Sequence, residues 1–137
     1  MERVSLALES YLETIADLQK EFGAATPSEL AERMGCKRSS VTNALRRLEE
    51  NGLINYHSYR PVTLTPKGLE VIDSLDRYHG ILEDFLKNVL GLDEEFSKKE
   101  ACRLEHQISP VTIERIKQYT EFLDDTHAFR KYLVSKK

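Results

Sequence analysis

The ten residues "ACRLEHQISP", at positions 101–110, place a thiol, a carboxylate and an imidazole close together in the chain. An α-helix turns once about every 3.6 residues, so residues three or four positions apart lie on one face. Cys102, Glu105 and His106 have this spacing and would point the same way from a helix. Such side chains make a poor apolar core, but together they offer three donors of the kinds that bind divalent transition metals.

A second pair of candidate ligands, His79 and Glu83, lies four residues apart in the apolar-periodic segment that precedes this stretch. Residues four apart on a helix are neighbours on its surface. With the first three, they supply enough imidazole, carboxylate and thiolate donors for one or two metal sites. A single histidine is more often structural than a ligand, and we interpret His57 and His127 in that way. Cys36 has no such neighbours, and we predict that it is a small packing residue.

Capping signals and hydrophobic spacing predict how the N-terminal part of the chain folds. Apolar residues recur at helical spacing over residues 5–22, and "ATPSELAERMG" then combines an N-cap, a proline at the first helical position and a capping-box glutamate. A further helix, "SSVTNALRRLEENG", follows the tight connection "CKR", which makes a helix-turn-helix. The β-rich stretches 53–56 and 62–65 predict a hairpin directly after it. We therefore predict a winged helix-turn-helix DNA-binding domain over residues 1–72.

Residues 73–137 are predicted to be all helical. A long apolar-periodic helix is expected to begin at Thr65-Pro66 and to close at Gly91, and further helices are expected over residues 94–108, from Ser109-Pro110 and from about Asp125. Their apolar positions exceed what one small domain can bury, so we predict a homodimer. The predicted fold class is mostly α: an N-terminal winged helix-turn-helix with a small β-hairpin wing, followed by an all-helical dimerisation and metal-binding domain.

The charge of the chain is unevenly distributed. The 137 residues carry a net charge of −3, but residues 24–67 contain seven Lys/Arg and four acidic residues, which makes that segment +3 and the remainder −6. A basic module on an acidic body is typical of a DNA-binding head on a regulatory domain. No stretch is apolar for long enough to cross a bilayer, and the N-terminus lacks a signal-peptide core. We therefore expect a soluble cytoplasmic protein with reduced cysteines and no membrane partner.

In a helix-turn-helix the second helix enters the major groove, and residues near its N-terminus face the base edges. Arginine and lysine can bind guanine or phosphate, asparagine can bind adenine, and small hydroxyls can bind phosphate. The candidate DNA-binding residues lie on that helix, at the N-terminus of the helix before it and at the wing tip: Thr26, Ser28, Lys37, Arg38, Ser39, Ser40, Thr42, Asn43, Arg46, Arg47, Tyr59 and Arg60. We predict double-stranded operator DNA as the partner.

The segments "EACRLEH", "YHGILEDFL" and "NALRRLEENGLI" make the chain resemble the diphtheria toxin repressor family of iron- and manganese-responsive repressors, over roughly residues 5–120. Members are metal-dependent homodimers with an N-terminal winged helix and a helical dimerisation domain, and some add an SH3-like domain. This chain resembles the short, manganese-regulator-like form without that last domain. The resemblance implies that Cys102, Glu105 and His106 bind a primary metal, and that His79 and Glu83 bind a neighbouring second one.

The resemblance also implies a ligand from the first helix, Glu13. Ser10 stands where the family usually has methionine or aspartate, so a backbone carbonyl, a water molecule or Glu9 could replace that ligand. Lys98 stands where iron-type members have a histidine. The second site is therefore expected in a shorter form that does without it.

Together these features predict a metal-dependent transcriptional repressor that binds operator DNA as a homodimer and controls metal-homeostasis genes. Because a thiolate ligand shifts preference away from the hard ion Mn²⁺, we expect Fe²⁺ as the activator, with Mn²⁺, Co²⁺, Ni²⁺ and Zn²⁺ as alternatives. If Cys102 only packs against the helix, the other four donors bind alone. A winged-helix regulator that responds to a redox signal through Cys102 is the main alternative, and it predicts insensitivity to chelators.

No enzymatic activity is expected. The sequence has no glycine-rich phosphate loop and no nucleophile elbow. A hydrolytic metalloenzyme is the weakest alternative, because such an enzyme needs an open metal position and a placed general base, and the sequence indicates neither.

Overall fold

The structure is a computed structural model that describes residues 5–57 and 60–136. The chain divides into two compact units, Met1–Asp73 and Ser74–Lys137. In the described residues the elements are α1 (Leu6–Phe22), α2 (Pro27–Met34), α3 (Arg38–Glu50), β1 (Ile54–Asn55), β2 (Thr63–Leu64), α4 (Pro66–Asp84), a π-helical segment (Phe85–Val89), α5 (Glu94–Leu104), α6 (Pro110–Phe122) and α7 (Ala128–Ser135). Within that part of the chain, no helix is long and apolar enough to cross a membrane.

The predicted helix-turn-helix is confirmed, and its ends follow from local chemistry. Thr26 caps α2: its side chain accepts a hydrogen bond from the Glu29 N–H, while the Glu29 carboxylate accepts one from the Thr26 N–H. This reciprocal arrangement is the predicted capping box. Gly35 ends α2 with φ of +64°, a left-handed conformation that glycine adopts without a steric penalty. The chain then turns directly into α3.

The core of the first unit is built from the apolar faces of α1, α2 and α3 and from the wing. Its fully buried side chains are Leu12, Ile15, Leu18, Leu30, Val41, Leu45, Leu48, Leu53 and Val62. Each large apolar side chain buried in this way contributes roughly 1.5–3 kcal/mol. The helical spacing of these residues along α3 leaves its opposite, polar face in solvent.

The strands of the wing are shorter than the sequence predicts. β1 and β2 pair antiparallel, with Ile54 opposite Leu64, and each strand has two residues where four were expected. Ala25, just before α2, forms an isolated antiparallel bridge with Val62. In the bridge, the Ala25 N–H donates to the Val62 carbonyl at 3.0 Å and the Val62 N–H donates to the Ala25 carbonyl at 2.6 Å. In the described residues the third strand of the sheet is thus reduced to one residue.

The long helix departs from the predicted course before Gly91. The α-helical part ends at Asp84, and the chain continues as a π-helical segment in which the Leu90 N–H donates to the Phe85 carbonyl at 2.9 Å. Gly91 then ends the helical run with φ of +72°, as its glycine signal predicts.

Two later boundaries also differ from the prediction. α5 ends at Leu104 rather than near residue 108, and the following turn leads to Ser109, whose backbone is extended at φ −77° and ψ 152°. A residue before proline is driven out of the helical region, so α5 cannot run directly into the helix that begins at Pro110. The last helix starts at Ala128 rather than Asp125, because the Asp125 carboxylate accepts a hydrogen bond from a nearby backbone N–H and forms a turn instead.

The second unit has its own core and a large exposed apolar surface. The core consists of Leu82, Leu86, Ala101 and Ile113, with Tyr78, Ile81, Leu90, Leu104, Ile108 and Ile116 packed against it. The large apolar side chains left exposed in this unit are Leu92, Phe96, Val111, Tyr119, Phe122, Phe129, Tyr132, Leu133 and Val134.

Candidate metal centre and DNA-binding surface

His79 lies between two carboxylates in the second unit. Its Nε2 atom is 2.8 Å from Oε2 of Glu83, one turn further along α4, and its Nδ1 atom is 3.0 Å from Oε2 of Glu105, at the end of α5. The Glu105 side chain is 6% exposed, and those of His79 and Glu83 are 23% and 27% exposed. The structure therefore brings together candidate ligands from two separate segments of the sequence.

The remaining two donors lie beside the same group. The Cys102 Sγ atom is 3.7 Å from Nδ1 of His79, and the cysteine is exposed. Nε2 of His106 is 3.6 Å from Oε1 of Glu105, and the His106 side chain is 10% exposed. Two imidazoles, two carboxylates and one thiol thus form a single cluster within this unit.

The spacing of Cys102, Glu105 and His106 predicted that all three lie on one helix, but only the first lies within α5. α5 ends at Leu104, Glu105 is its C-cap and His106 lies in the turn that follows. Glu105 nevertheless keeps helical backbone angles, and its N–H donates to the Ala101 carbonyl at 2.9 Å. The turn begins with the same handedness as the helix, which is why the side chains still converge.

The chemistry of this donor set fits a divalent transition metal. Calcium and magnesium select oxygen ligands, whereas mixed imidazole, carboxylate and thiolate donors suit Mn²⁺, Fe²⁺, Co²⁺ or Zn²⁺. A nitrogen that binds a metal carries no proton, so a cation bound to His79 would take the place of its contact with Glu83 or with Glu105.

α1, in the first unit, carries the candidate ligands that the family resemblance implies. Glu9 is buried at 1% exposure, and Glu13, one turn further on, is half-buried. A buried carboxylate is costly unless it is hydrogen-bonded or paired. The Ser10 hydroxyl donates to the Leu6 carbonyl at 3.2 Å, so its proton is engaged within α1.

The polar face of α3 is available to a partner. Its exposed candidates are Lys37 (at the N-cap), Arg38, Ser39, Ser40, Asn43, Arg46 and Arg47. Thr42 is half-buried, and its hydroxyl donates to the Arg38 carbonyl at 3.0 Å, which leaves an acceptor but no proton for DNA.

The candidates at the start of α2 are already engaged. The Thr26 hydroxyl donates to the Glu29 carboxylate at 2.7 Å, in addition to its capping bond. The Ser28 hydroxyl accepts from the Arg38 guanidinium at 2.7 Å. Ser28 therefore contacts Arg38 at the N-terminus of α3, and its own hydroxyl proton is not used in that bond.

On the wing, Arg60 is exposed and its N–H donates to the His57 carbonyl at 3.1 Å. The candidate Tyr59 lies outside the described residues.

No pattern in the sequence marks the contacts through which α1 holds the helix-turn-helix. The Tyr11 hydroxyl is 3.3 Å from Sγ of Cys36, and the Thr14 hydroxyl is 3.0 Å from Sδ of Met34. The hydrogen bond to Cys36 and burial raise the pKa of Tyr11. Cys36 is half-buried, and besides packing it ties the turn between α2 and α3 to α1.

A winged helix with a polar, basic recognition helix, joined in one chain to a mixed nitrogen, oxygen and sulfur donor cluster, defines a metal-responsive DNA-binding regulator. The chain belongs to the iron dependent repressor family. The N-terminal DNA binding domain of that family matches residues 4–62, and its metal binding and dimerisation domain matches residues 65–128. These matches confirm the predicted resemblance to iron- and manganese-responsive repressors.

Known regulators are similar over nearly the whole chain. An uncharacterized HTH-type transcriptional regulator of Methanocaldococcus jannaschii is 38% identical over 123 residues, covering 89% of this chain and 98% of the relative. The HTH-type transcriptional regulator MntR of Bacillus subtilis is 33% identical over 129 residues, covering 94% and 90%. The structure of a manganese-dependent transcriptional repressor in complex with manganese has a TM-score of 0.68 and 32% identity, covering 85% of this chain and 53% of that one.

Proposed function

We propose that this protein is a metal-activated repressor of metal-homeostasis genes, in which residues 1–72 bind operator DNA and residues 73–137 bind metal and dimerise. The observation that carries the proposal is the convergence of five donors in one cluster: Glu83, Glu105 and Cys102 lie beside His79, and His106 lies beside Glu105. Core packing does not explain this convergence, because it places two carboxylates and two imidazoles side by side near an apolar core. Membership of a family of metal-dependent repressors supports the same function.

Cys102, Glu105 and His106 are proposed as the primary ligands, with His79 and Glu83 as a neighbouring second set. Glu105 lies within 4 Å of both histidines, so it is the group through which occupancy of one set would affect the other. A metal bound to either set has to displace the contacts that Glu105 makes without metal. One or two ions per subunit are compatible with these five donors.

α1 is proposed to complete the coordination. Glu13 would add a carboxylate, and at Ser10 a backbone carbonyl, a water molecule or Glu9 would take the place of the usual family ligand. The Ser10 hydroxyl engages the α1 backbone, which favours one of the substitutes over the hydroxyl itself.

Two arguments bear on the preferred metal. Several similar regulators carry the name MntR, and one similar structure is a manganese-dependent repressor with manganese bound, which favours Mn²⁺. The exposed thiol of Cys102, 3.7 Å from His79, favours Fe²⁺, because a thiolate is a softer ligand than a carboxylate. We propose that Fe²⁺ is the stronger activator when Cys102 is a ligand, and that Mn²⁺ also activates.

A homodimer is proposed because of the exposed apolar surface of the second unit. Phe122, Val134 and Val111 are 72–78% exposed, and two aromatic pairs, Tyr119 with Phe122 and Phe129 with Tyr132, lie on α6 and α7. Large exposed apolar patches usually mark protein interfaces. A two-fold dimer would place two copies of α3 on half-sites one helical turn apart. Metal would select the arrangement that fits both half-sites, and DNA would tighten metal binding by the same coupling energy.

The proposal is tested by DNA binding to fragmented genomic DNA under anaerobic, reducing conditions, with EDTA or with Mn²⁺, Fe²⁺ or Zn²⁺. Binding that needs added metal and is reversed by EDTA supports a metal-activated repressor. DNA binding that is unchanged by EDTA but altered by an oxidant would favour the redox regulator instead.

Cobalt tests the ligand assignment. A thiolate bound to Co²⁺ gives a near-ultraviolet charge-transfer band, which imidazole and carboxylate do not. The band should be present in the wild type, absent in Cys102→Ala and retained in the matched control Cys36→Ala. Cys102→Glu should shift the DNA-binding response toward Mn²⁺. If the wild type shows no band and Cys102→Ala keeps full metal-dependent binding, the thiol is not a ligand and the preference for Fe²⁺ is wrong.

A further inference from the structure

We propose that Gln19 is a positioning residue for the wing: its side-chain oxygen replaces part of the missing third strand of the sheet and thereby fixes Arg60 for contact with DNA. The inference rests on the proposed function, since it assumes that the wing binds DNA.

The wing needs an external support. Its strands have two residues each, and a two-stranded hairpin alone is at best marginally stable in water. Backbone groups of alternate residues along β2 face opposite edges. The Thr65 N–H donates to the Leu53 carbonyl on the β1 side, whereas the N–H and carbonyl of Val62 bond Ala25 on the other side. The Leu64 N–H faces that second side as well, beyond the reach of the one-residue bridge at Ala25.

Gln19 supplies the acceptor at this place. Its Oε1 atom accepts a hydrogen bond from the Leu64 N–H at 2.9 Å, across 45 residues of sequence. Leu64 is buried at 8% exposure, so water is poorly placed to substitute for the amide oxygen. An N–H left without an acceptor in such a place costs more than the net worth of the hydrogen bond itself.

The C-terminal turn of α1 fixes the position of Gln19. It follows the fully buried Leu18 on α1, and its backbone carbonyl accepts from the Gly23 N–H at 2.7 Å, which closes the C-terminus of the helix. The residue therefore connects the end of α1, the third-strand edge of the sheet and the strand that leads back from the wing tip. Arg60 stands at the other end of that returning segment, four residues before Leu64.

The alternative is that Gln19 only adds stability to the fold. The two interpretations differ in what they predict for Arg60. If Gln19 positions the wing, then losing its acceptor reduces the benefit that Arg60 brings to DNA binding. If it only adds stability, the folded molecules keep the full contribution of Arg60.

The experiment uses three full-length variants, each with and without Arg60→Ala. Gln19→Met has a similar length but no acceptor, Gln19→Glu keeps an acceptor oxygen, and Gln118→Met makes the same change at an exposed glutamine on α6 as the control. Affinity is measured at saturating Mn²⁺ for a DNA duplex selected from a random pool by the wild-type protein. Amide hydrogen exchange is measured at Leu64.

We expect Gln19→Met to speed exchange at Leu64 by roughly five- to 150-fold, the range that corresponds to one buried N–H left without an acceptor. The affinity lost through Arg60→Ala should shrink by up to the same factor in the Gln19→Met background, because the coupling cannot exceed the worth of the bond. Gln19→Glu should restore both readouts, and Gln118→Met should change neither.

Unchanged exchange at Leu64 in Gln19→Met overturns the proposal. So does an Arg60→Ala penalty that is the same with Gln19 and with Met at position 19, since that result assigns Gln19 a purely structural role. An Arg60→Ala variant that binds as tightly as the wild type refutes the wing contact and this role of Gln19 together, while leaving DNA binding by α3 intact. Failure of the wild type to select any duplex refutes the proposed function itself.

Discussion

Replacing His79 with leucine should destabilise the metal-free protein by about 1.5–3 kcal/mol, the range for a hydrogen bond to a charged group. Leucine is similar in size to histidine but has no polar atoms, so the substitution removes both contacts of the ring while keeping the space filled. Because Glu105 is nearly buried, the loss of the 3.0 Å contact to its carboxylate accounts for most of the effect. The 2.8 Å contact to Glu83 is more exposed and should add less than about 1 kcal/mol.

The measurement is urea unfolding in EDTA, compared with two further variants. Glu83→Gln keeps an acceptor for the ring and should cost less than about 1 kcal/mol. His127→Leu replaces an exposed histidine of the same unit, and its effect should lie within about 0.5 kcal/mol of zero. Repeating the series in excess Mn²⁺ should widen the gap between His79→Leu and wild type, since a ligand at about 100 times its Kd stabilises the folded state by about 2.7 kcal/mol.

A His79→Leu variant no less stable in EDTA than His127→Leu would show that the His79–Glu105 contact does not hold the metal-free protein together. If Mn²⁺ stabilised His79→Leu as much as it stabilises the wild type, His79 would be refuted as a ligand.

Three further outcomes are expected. Arg47→Ala should weaken binding to all DNA sequences and lower the slope of log affinity against log salt by about one, as measured by titrations at several salt concentrations. Gly68→Ala should lower the thermal midpoint, because its Cβ would overlap the Leu53 carbonyl oxygen. Gly80→Ala meets no described atom of another element within 4 Å and should stabilise its helix by roughly 0.5–1 kcal/mol. Equal effects of the two substitutions on the thermal midpoint would contradict the close packing at Gly68. Leu82→Ala, in the core of the second unit, should cost about 2–5 kcal/mol by urea unfolding, and a loss below 1 kcal/mol would indicate a loosely packed core.

The features that could be predicted from sequence have local causes. The capping box of Thr26 and Glu29 depends on residues three positions apart, and so does the close packing of candidate ligands around residue 105. The pairing of His79 with Glu83 needs only one helical turn. Such short-range patterns form independently of the rest of the chain, which is why the helix-turn-helix and each half of the donor cluster could be predicted. The contact between His79 and Glu105 joins residues 26 positions apart and forms only in the folded unit.

The features that could not be predicted depend on distant partners. Nothing near Gln19 in the sequence marks it as an acceptor for Leu64, because that contact exists only after the wing folds against α1. α5 ends early in a turn in which the N–H groups of Gln107 and Ile108 both donate to the Leu104 carbonyl, and the helical spacing over residues 94–108 does not reveal that turn. The β-rich sequences also do not show that each strand has only two residues, or that a single bridge to Ala25 lies on the other side of β2.

The π-helical segment bears on how related chains should be aligned. A π-turn, closed here by the bond from the Leu90 N–H to the Phe85 carbonyl, contains one residue more than an α-turn. A chain with one residue fewer between 85 and 89 could therefore continue as a regular α-helix while His79 and Glu83, both upstream, kept their places. Insertions and deletions of a single residue among homologues are best placed inside this segment, where they change the winding of the backbone but keep the spacing within each ligand pair or trio, His79 with Glu83 and Cys102 with Glu105 and His106.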